Sequence, residues 1–332
     1  MNSQLLHTPA GVRDIYGNEY AKKLAAEAVI RREFNQAGYL DIQTPTFEFF
    51  EVFSNEIGTT PSNELYKLTD GDGNTMVLRP DFTPGVARCA AKYFSGQEAA
   101  LRFCYLGNTY KNTTSLRGKL KERTEMGVEL IGDATAAAEA DTIALLIKAL
   151  LAAGLKNFQV SIGQVEYFKG MCAAAALSPE TEAELRDLIA GKNYFAVEPL
   201  LEKAGLGAAD CERLTSITDL MGGADMLARA MELSGNERSQ AAITNLEKLH
   251  SALCGHGMEK YVAFDLGMLS QYNYYTGIIF KCFAYGVGDA IAKGGRYDDL
   301  LGKFGKAAPA VGFGLVIDEL MMALARQDVG AV

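Results

Sequence analysis

The spacing of apolar residues along the chain predicts two long amphipathic helices in its first half. The first covers about 18–36, where apolar residues recur three and four positions apart, and Gly38 follows as a stop. The second places Ile143, Leu146, Ile147 and Leu150 on one face. Both patterns have the period of a helix that buries one stripe of its surface against a core.

Short strand-like segments lie around these helices. They cover 39–42, 75–79, 101–110, 125–131, 158–162, 261–265 and 276–285. The segments do not alternate regularly with helices, as the strands of a doubly wound fold would. The pattern therefore predicts an α+β fold with a mixed, mainly antiparallel sheet that is flanked by helices.

The middle of the chain has a different character. From about 177 to 250 it is rich in Ala, Leu and Glu, and Ser178 followed by Pro179 is a helix-start signal. The apolar stripe formed by Leu214, Ile217, Leu220 and Met221 indicates another helix. We interpret residues 176–254 as a helical insertion. It interrupts one discontinuous core domain, which comprises residues 1–175 and 255–332.

Composition narrows the class of protein. The 332 residues are 48% hydrophobic, which excludes general disorder. There are 32 basic and 41 acidic residues, and the net charge of −9 argues against a general binder of nucleic-acid phosphates. The chain has no uninterrupted apolar run of membrane-spanning length and no signal pattern at its start. We therefore expect a soluble, cytoplasmic protein that binds neither nucleic acid nor membrane.

The cysteines give no sign of a metal centre. All six are widely scattered, none forms a Cys-x-x-Cys pair, and only three histidines could join them. Because zinc needs clustered ligands, we expect no metal site, and nothing in the sequence calls for a cofactor. The cysteines are interpreted as reduced thiols of a cytosolic protein.

Six segments, taken in chain order, resemble the class II aminoacyl-tRNA synthetases, and histidyl-tRNA synthetase most closely. They are 8–14 (TPAGVRD), 38–45 (GYLDIQTP), 78–83 (LRPDFT), 118–129, 274–277 (YYTG) and 294–298 (GGRYD). The second segment resembles motif 1, the fourth follows the end of motif 2, and the sixth precedes a segment similar to motif 3 at 310–320. The resemblance covers about 5–175 and 255–325 and implies a class II synthetase-like core.

In that family motif 1 builds the dimer interface, so the resemblance implies a homodimer. We expect the interface near 39–45 and the preceding helix. The aromatic residues Phe47, Phe49, Phe50 and Phe53 could extend this face. An apolar face of that size is unfavourable when it is exposed to water.

Three positions at which the family uses arginine to hold ATP carry other residues. Lys111 lies at the motif 2 position, Glu319 at the motif 3 position, and Ser270 or Gln271 before the tyrosine pair. Arginine suits this task because its planar fork gives two parallel, permanently charged hydrogen bonds. Removing one such donor costs about 3 kcal/mol of transition-state stabilisation. We therefore expect no aminoacyl adenylate formation and no catalytic residues.

The amino-acid pocket of the family is matched much better. The resemblance implies a histidine-binding site formed by Asp81, Thr83, Glu125, Glu129, Tyr274 and Tyr275. The carboxylates would pair with cationic groups, and the tyrosines would close over the imidazole. Glu125 stands where the family usually has glutamine. The alternatives are that the carboxylates are only surface or helix-capping groups, and that the tyrosines only pack in a strand.

Two further groups allow alternative interpretations. The segment Gly294-Gly295-Arg296-Tyr297 could cradle a phosphate, but a strand-to-helix turn fits it better because the Lys-Ser/Thr of a P-loop is missing. A second group of cations could form an anion site or a solvated charged face. Its members are Arg79, Lys119, Lys121 and Arg123.

Only residues 321–332 follow the motif 3-like segment, so we expect no anticodon-binding domain. This combination resembles the regulatory subunits of ATP phosphoribosyltransferase, which are synthetase paralogues in histidine biosynthesis. The resemblance implies a short catalytic subunit as partner, in a complex that carries out the first step of that pathway. It also implies L-histidine as feedback effector. The alternatives are a stand-alone amino-acid:AMP ligase on the same fold and a non-catalytic synthetase-like scaffold.

Overall fold

The secondary structure was obtained from a computed structural model, which describes residues 3–53, 60–97, 99–113, 119–269 and 274–327. The helices are α1 (Gly17–Gln36), α2 (Thr83–Tyr93), α3 (Ala136–Ala152), α4 (Val165–Ala174), α5 (Pro179–Ala190), α6 (Val197–Lys203), α7 (Ala208–Ser216), α8 (Met226–Ser234), α9 (Glu237–Gly255) and α10 (Ile317–Arg326). The strands are β1 (Leu40–Asp41), β2 (Phe47–Phe49), β3 (Lys67–Thr69), β4 (Thr75–Leu78), β5 (Leu101–Tyr110), β6 (Glu122–Ile131), β7 (Phe158–Gln164), β8 (Met221–Gly222), β9 (Val262–Asp265), β10 (Ile278–Ala284), β11 (Ala292–Arg296) and β12 (Ala310–Val316).

Within the described residues, nine strands form one mixed sheet in the order β1-β5-β6-β12-β11-β10-β7-β9-β8. Two neighbouring pairs are parallel, β1 with β5 and β7 with β9, and the other pairs are antiparallel. A smaller antiparallel sheet has the order β2-β4-β3. The predicted α+β fold with a mixed, mainly antiparallel sheet is therefore confirmed.

The two faces of the large sheet are covered differently. On one face, Phe34 of α1 and Leu146 of α3 pack in a single core with Val128 of β6, and all three are fully buried. On the other face, α2 covers one part of the sheet, and a smaller core there includes Phe82 and Phe103. A pocket lined by Thr83 of α2 lies on the same face.

Helices α5 to α9 fall within the segment that the sequence indicated as an insertion. Ser178 caps α5, since its hydroxyl oxygen accepts a hydrogen bond of 3.2 Å from the Thr181 amide. The buried side chains of Leu185 and Leu246 belong to the same core cluster as α3. This segment is thus continuous with the main core, and it also contributes the edge strand β8. Among the described residues, no helix combines the length and apolar character that a bilayer crossing requires.

Two local predictions are wrong. The helix predicted through Met221 ends at Ser216. A short 3-10 turn then buries Ile217, and β8 begins at Met221, because a spacing of three residues suits that tight turn as well as it suits an α-helix. The segment beginning at Gly294 is neither a turn nor a phosphate loop, because it lies in β11 between β12 and β10.

The aromatic residues near motif 1 divide into exposed and buried members. Phe47 and Phe49 are 54% and 51% exposed, whereas Phe53 is 1% exposed and packs in a small core with Leu65 and Val77. Phe53 is therefore not available for an interface, and its inclusion in the predicted dimer face is wrong. Its burial follows from the 3-10 turn over Phe50–Phe53, which turns it towards the smaller sheet.

Candidate functional site

A pocket on the sheet face that carries α2 brings the predicted site residues together. Its volume is about 640 Å³ with the mouth included. All six predicted histidine-binding residues line it: Asp81, Thr83, Glu125, Glu129, Tyr274 and Tyr275. Asp81 and Thr83 come from the start of α2, the two glutamates from β6, and the two tyrosines from the segment before β10. Residues that are far apart in sequence thus converge on one cavity.

Strand register explains why both glutamates face the pocket. Side chains alternate between the two faces of a strand, so residues separated by an even number of positions, such as Glu125, Gly127 and Glu129, share one face. Glu129 lies directly opposite Gly312 of β12, and Gly127 lies opposite Gly314. The floor of the pocket therefore alternates carboxylates and glycines across two neighbouring strands.

The glycines of β12 make room for the carboxylates. A Cβ atom at Gly312 would overlap Glu129 Oε2, and one at Gly314 would overlap Glu125 Oε1. Glycine in a strand interior often marks the close approach of another group, and here that group is a buried carboxylate. Because these two glycines have no side chain, both glutamate side chains can pack directly against β12.

Glu129 is the most enclosed of the pocket carboxylates, with 1% of its surface exposed. The Thr83 hydroxyl donates a hydrogen bond of 2.8 Å to Oε1, and the Tyr297 hydroxyl donates another to Oε2. Burial raises the pKa of Glu129 to about 8, against the opposing effect of these two hydrogen bonds. A buried carboxyl with a pKa near neutrality is poised to ionise when a cation arrives.

Glu125 lies two residues before Gly127 on the same strand. Burial and the negative charge of Asp81 raise the pKa of Glu125 to about 7, while the ammonium of Lys111 lowers it. The Tyr105 hydroxyl donates a hydrogen bond of 3.4 Å to Oε1 of Glu125. The Asp81 carboxylate in turn accepts a hydrogen bond of 2.9 Å from the Thr83 amide. Three acidic side chains therefore share one small volume and make it a site for positive charge.

The two tyrosines line the pocket together with these carboxylates. The ring centroids of Tyr274 and Tyr275 are 4.3 Å apart, and Tyr274 meets Tyr297 edge to face at 6.1 Å. Tyr275 lies against the backbone of Gly295, where an added Cβ would come within 2.6 Å of the ring. A lining of carboxylates and aromatic rings suits a small cationic ligand with a flat ring.

Comparison with known proteins gives a consistent family. A family model described as histidyl-tRNA synthetase matches residues 11–320. An ATP phosphoribosyltransferase regulatory subunit from Acetivibrio thermocellus is 43% identical over 98% of this chain and 78% of its own length. Another from Thermoanaerobacter pseudethanolicus is 39% identical over 97% of this chain and 84% of its own. This chain belongs to the ATP phosphoribosyltransferase regulatory subunit family.

Solved structures agree with this assignment. A structure described as an ATP phosphoribosyltransferase regulatory subunit/histidyl-tRNA synthetase from Bacillus halodurans superposes with a TM-score of 0.91. It is 36% identical, and the match covers 96% of this chain and 83% of that one. A histidyl-tRNA synthetase from Nostoc shares the fold, with a TM-score of 0.82 at 21% identity, over 98% of this chain and 76% of that one. The predicted synthetase-like core and the predicted family are both confirmed.

The three positions at which the synthetase family uses arginine lie in different parts of the structure. Lys111 lines the pocket. Glu319 lies in the first turn of α10, and it is not among the described residues that line the pocket. Ser270 and Gln271 lie outside the described residues, as does Gly118 at the start of the predicted motif 2 segment.

The second group of cations does not form a common anion site. Arg79 is 7% exposed and donates hydrogen bonds to the carbonyls of Thr44 and Asn108, at 2.9 and 2.8 Å. Arg79 therefore connects the motif 1-like segment, 38–45, to β5. The Lys119 ammonium pairs with Asp289 at 2.9 Å. Lys121 and Arg123 make hydrogen bonds of their own within the chain.

Three polar side chains that line the pocket escaped the sequence analysis: Tyr105, Tyr297 and Lys293. Tyr105 could have been found by alternation, because it faces Gly127 across the β5–β6 ladder. Tyr297 was within a recognised segment, but it was not assigned to the pocket because that segment was interpreted as a turn. Lys293 directly precedes this segment and lies in β11, which the sequence analysis does not predict as a strand.

Proposed function

We propose that this chain is the histidine-sensing subunit of an ATP phosphoribosyltransferase complex. The observation that carries the proposal is the pocket, which three carboxylates and two tyrosines line and in which one carboxylate is held by Thr83 and Tyr297. L-Histidine offers the complementary groups, an α-ammonium and an imidazole ring. We expect Asp81 and Glu129 to engage the cationic groups, and Tyr274 or Tyr275 to cover the ring.

The proposed role is regulatory, and the chemistry belongs to a separate short catalytic subunit. Histidine would bind one conformation of the complex better than the other and so shift the population towards the inactive state. Histidine can be an effective inhibitor even when its binding free energies for the two states differ only modestly. The six cysteines are all free thiols, which supports a cytoplasmic complex.

Calorimetry with L-histidine tests the binding part of this proposal, first on the isolated chain and then on the complex with a short phosphoribosyltransferase. We expect saturable binding of one histidine per pocket and inhibition of the reconstituted enzyme over the same concentration range. Absence of binding to both samples would contradict the proposal. Binding without any effect on the partner's activity would favour the scaffold alternative.

We predict that the chain forms no aminoacyl adenylate. Lysine at position 111 gives no bidentate fork, and Glu319 stands where the resemblance implies an arginine that holds the triphosphate, so we expect transition-state stabilisation to fall by several kcal/mol. Histidine-dependent exchange of pyrophosphate into ATP should stay at background, with a histidyl-tRNA synthetase as the positive control. Exchange at a rate typical of an enzyme would instead support the ligase alternative.

We also predict a homodimer across the motif 1 region. Strand β1 is at the edge of the large sheet, and its Leu40 is 68% exposed. An exposed strand edge with an apolar side chain is a surface that proteins normally cover. The variant Leu40→Glu should weaken the dimer at least about tenfold, as seen by light scattering at micromolar concentration.

The matched control is Leu151→Glu, which changes an exposed leucine near the end of α3. It should leave the dimer intact. A wild-type protein that scatters as a monomer at micromolar concentration would contradict the prediction, as would equal effects of the two variants.

A further inference from the structure

The pocket holds basic as well as acidic side chains. Three carboxylates line it, and so do two lysines, Lys111 and Lys293, which are not accounted for by the ammonium and ring contacts proposed above. The side chain of Lys293 is 53% exposed. The pocket therefore offers both signs of charge to a ligand.

Strand register fixes where Lys293 lies. It is directly opposite Gly314 of β12 on one side and opposite Lys281 of β10 on the other. Residues directly opposite in a ladder project from the same face of a sheet. Because Glu125 lies over Gly314, the Lys293 side chain leaves the same face, next to this carboxylate.

The positive charge of these two lysines is only partly neutralised. Asp289 serves both Lys119 at 2.9 Å and Lys293 at 3.5 Å. Lys111 takes part in no salt bridge with the described residues. Partial burial lowers the pKa of the Lys293 ammonium, and the like charges of Lys111 and Lys119 lower it further. Like charges facing each other are unfavourable until an anion joins them.

We propose that Lys111 and Lys293 form a carboxylate subsite, so that the pocket requires a free, zwitterionic amino acid. This inference rests on the proposed function and specifies how the ligand is recognised. The ligand's ammonium would lie among the acidic side chains and its carboxylate between the two lysines, each charge facing its opposite. Ammonium–carboxylate hydrogen bonds are charge-assisted and stronger than neutral ones. An amide, an ester or a peptide-bound histidine lacks the second charge and would bind more weakly.

The test compares L-histidine with L-histidinamide by calorimetry at pH 7. This pH lies below the α-amino pKa of about 7.7 for a carboxyl-blocked amino acid, so both ligands keep their ammonium. Wild-type protein should bind histidine at least about tenfold more tightly than histidinamide. The variants Lys293→Met and Lys111→Met should each weaken histidine binding about tenfold and leave histidinamide binding unchanged.

Two matched variants complete the design. Lys293→Arg keeps the charge and should keep the preference for histidine, and Lys156→Met, outside the pocket, should behave as wild type. Equal affinities for the two ligands, or lysine variants that weaken both ligands equally, would overturn the carboxylate subsite while the proposed function stands. If the wild-type chain binds neither ligand, the proposed function and this inference both fail.

Discussion

Replacing Glu129 by glutamine is expected to weaken histidine binding about 10- to 100-fold. Glutamine keeps the shape of the side chain, and the hydroxyls of Thr83 and Tyr297 can rotate to hydrogen-bond its amide, so the pocket should stay folded. What it loses is the negative charge that would accept a hydrogen bond from the ligand's cationic group. A hydrogen bond to a charged group contributes about 1.5–3 kcal/mol.

The measurement is calorimetry on the isolated chain together with an inhibition curve of the reconstituted complex. Glu122→Gln is the matched control, because it lies on the same strand but on the opposite face and hydrogen-bonds to Asn108. It should bind histidine as wild type does. Tyr275→Ala tests the aromatic lining of the pocket and should also weaken binding. If Glu129→Gln and Tyr275→Ala both keep full histidine sensitivity, the sensor lies elsewhere.

Much of the fold could be predicted because local patterns and tertiary structure agree there. The spacing of apolar residues predicts α1 with its glycine stop, and it predicts β5 with the bounds that the structure has. The period does not decide which face of α1 is buried, because Ile30 and Phe34 are fully buried whereas Leu24 is 45% exposed. The site residues could be gathered only through the order of the motifs, since nothing in the local sequence shows that Asp81 and Tyr275 meet.

Strand β11 could not be predicted from local propensity. Its paired glycines are typical of a turn, yet Gly294 and Gly295 lie in the middle of the large sheet. They are required there because Phe280 and the ring of Tyr275 come too close for any Cβ atom. The determining contact is tertiary and becomes visible only after the chain has folded.

The same limitation explains why Lys293 and Tyr297 were missed. A residue that is not assigned to a strand has no predicted face, so alternation cannot bring it to the pocket. Once β11 is recognised as a strand, Lys293 and Gly295 share the face that carries Glu125 and Glu129 through the β11–β12 and β12–β6 ladders. Because β11 is not predicted as a strand, the side chains that it brings to the pocket are not predicted either.

The free energy of unfolding of the ligand-free protein is expected to decrease as the pH rises from about 5 to about 9. Burial raises the pKa of Glu125 to about 7 and that of Glu129 to about 8, above the ordinary value of 4.5. Between 4.5 and these values the folded chain holds protons that the unfolded chain has released. The free energy of unfolding therefore decreases with rising pH, by at most about 1.4 kcal/mol per pH unit for each group.

Glu129→Gln isolates this effect from the other titrating groups, because glutamine holds no titrating proton. Urea unfolding at several pH values should show the variant gaining stability relative to wild type by a few kcal/mol between pH 5 and pH 9. Curves that stay parallel across this range would contradict the prediction. Glu122→Gln again serves as the control, and its curve should run parallel to wild type.

The same linkage makes histidine binding release protons near pH 7. A cationic group entering the pocket lowers the pKa of Glu125 and Glu129, so carboxyls that were protonated in the free protein ionise as the ligand binds. Affinity should therefore increase from pH 6 to pH 8. Binding heats measured at pH 7 should differ between buffers of low and high ionisation enthalpy. In Glu129→Gln this difference should shrink, because one of the two proton donors is gone.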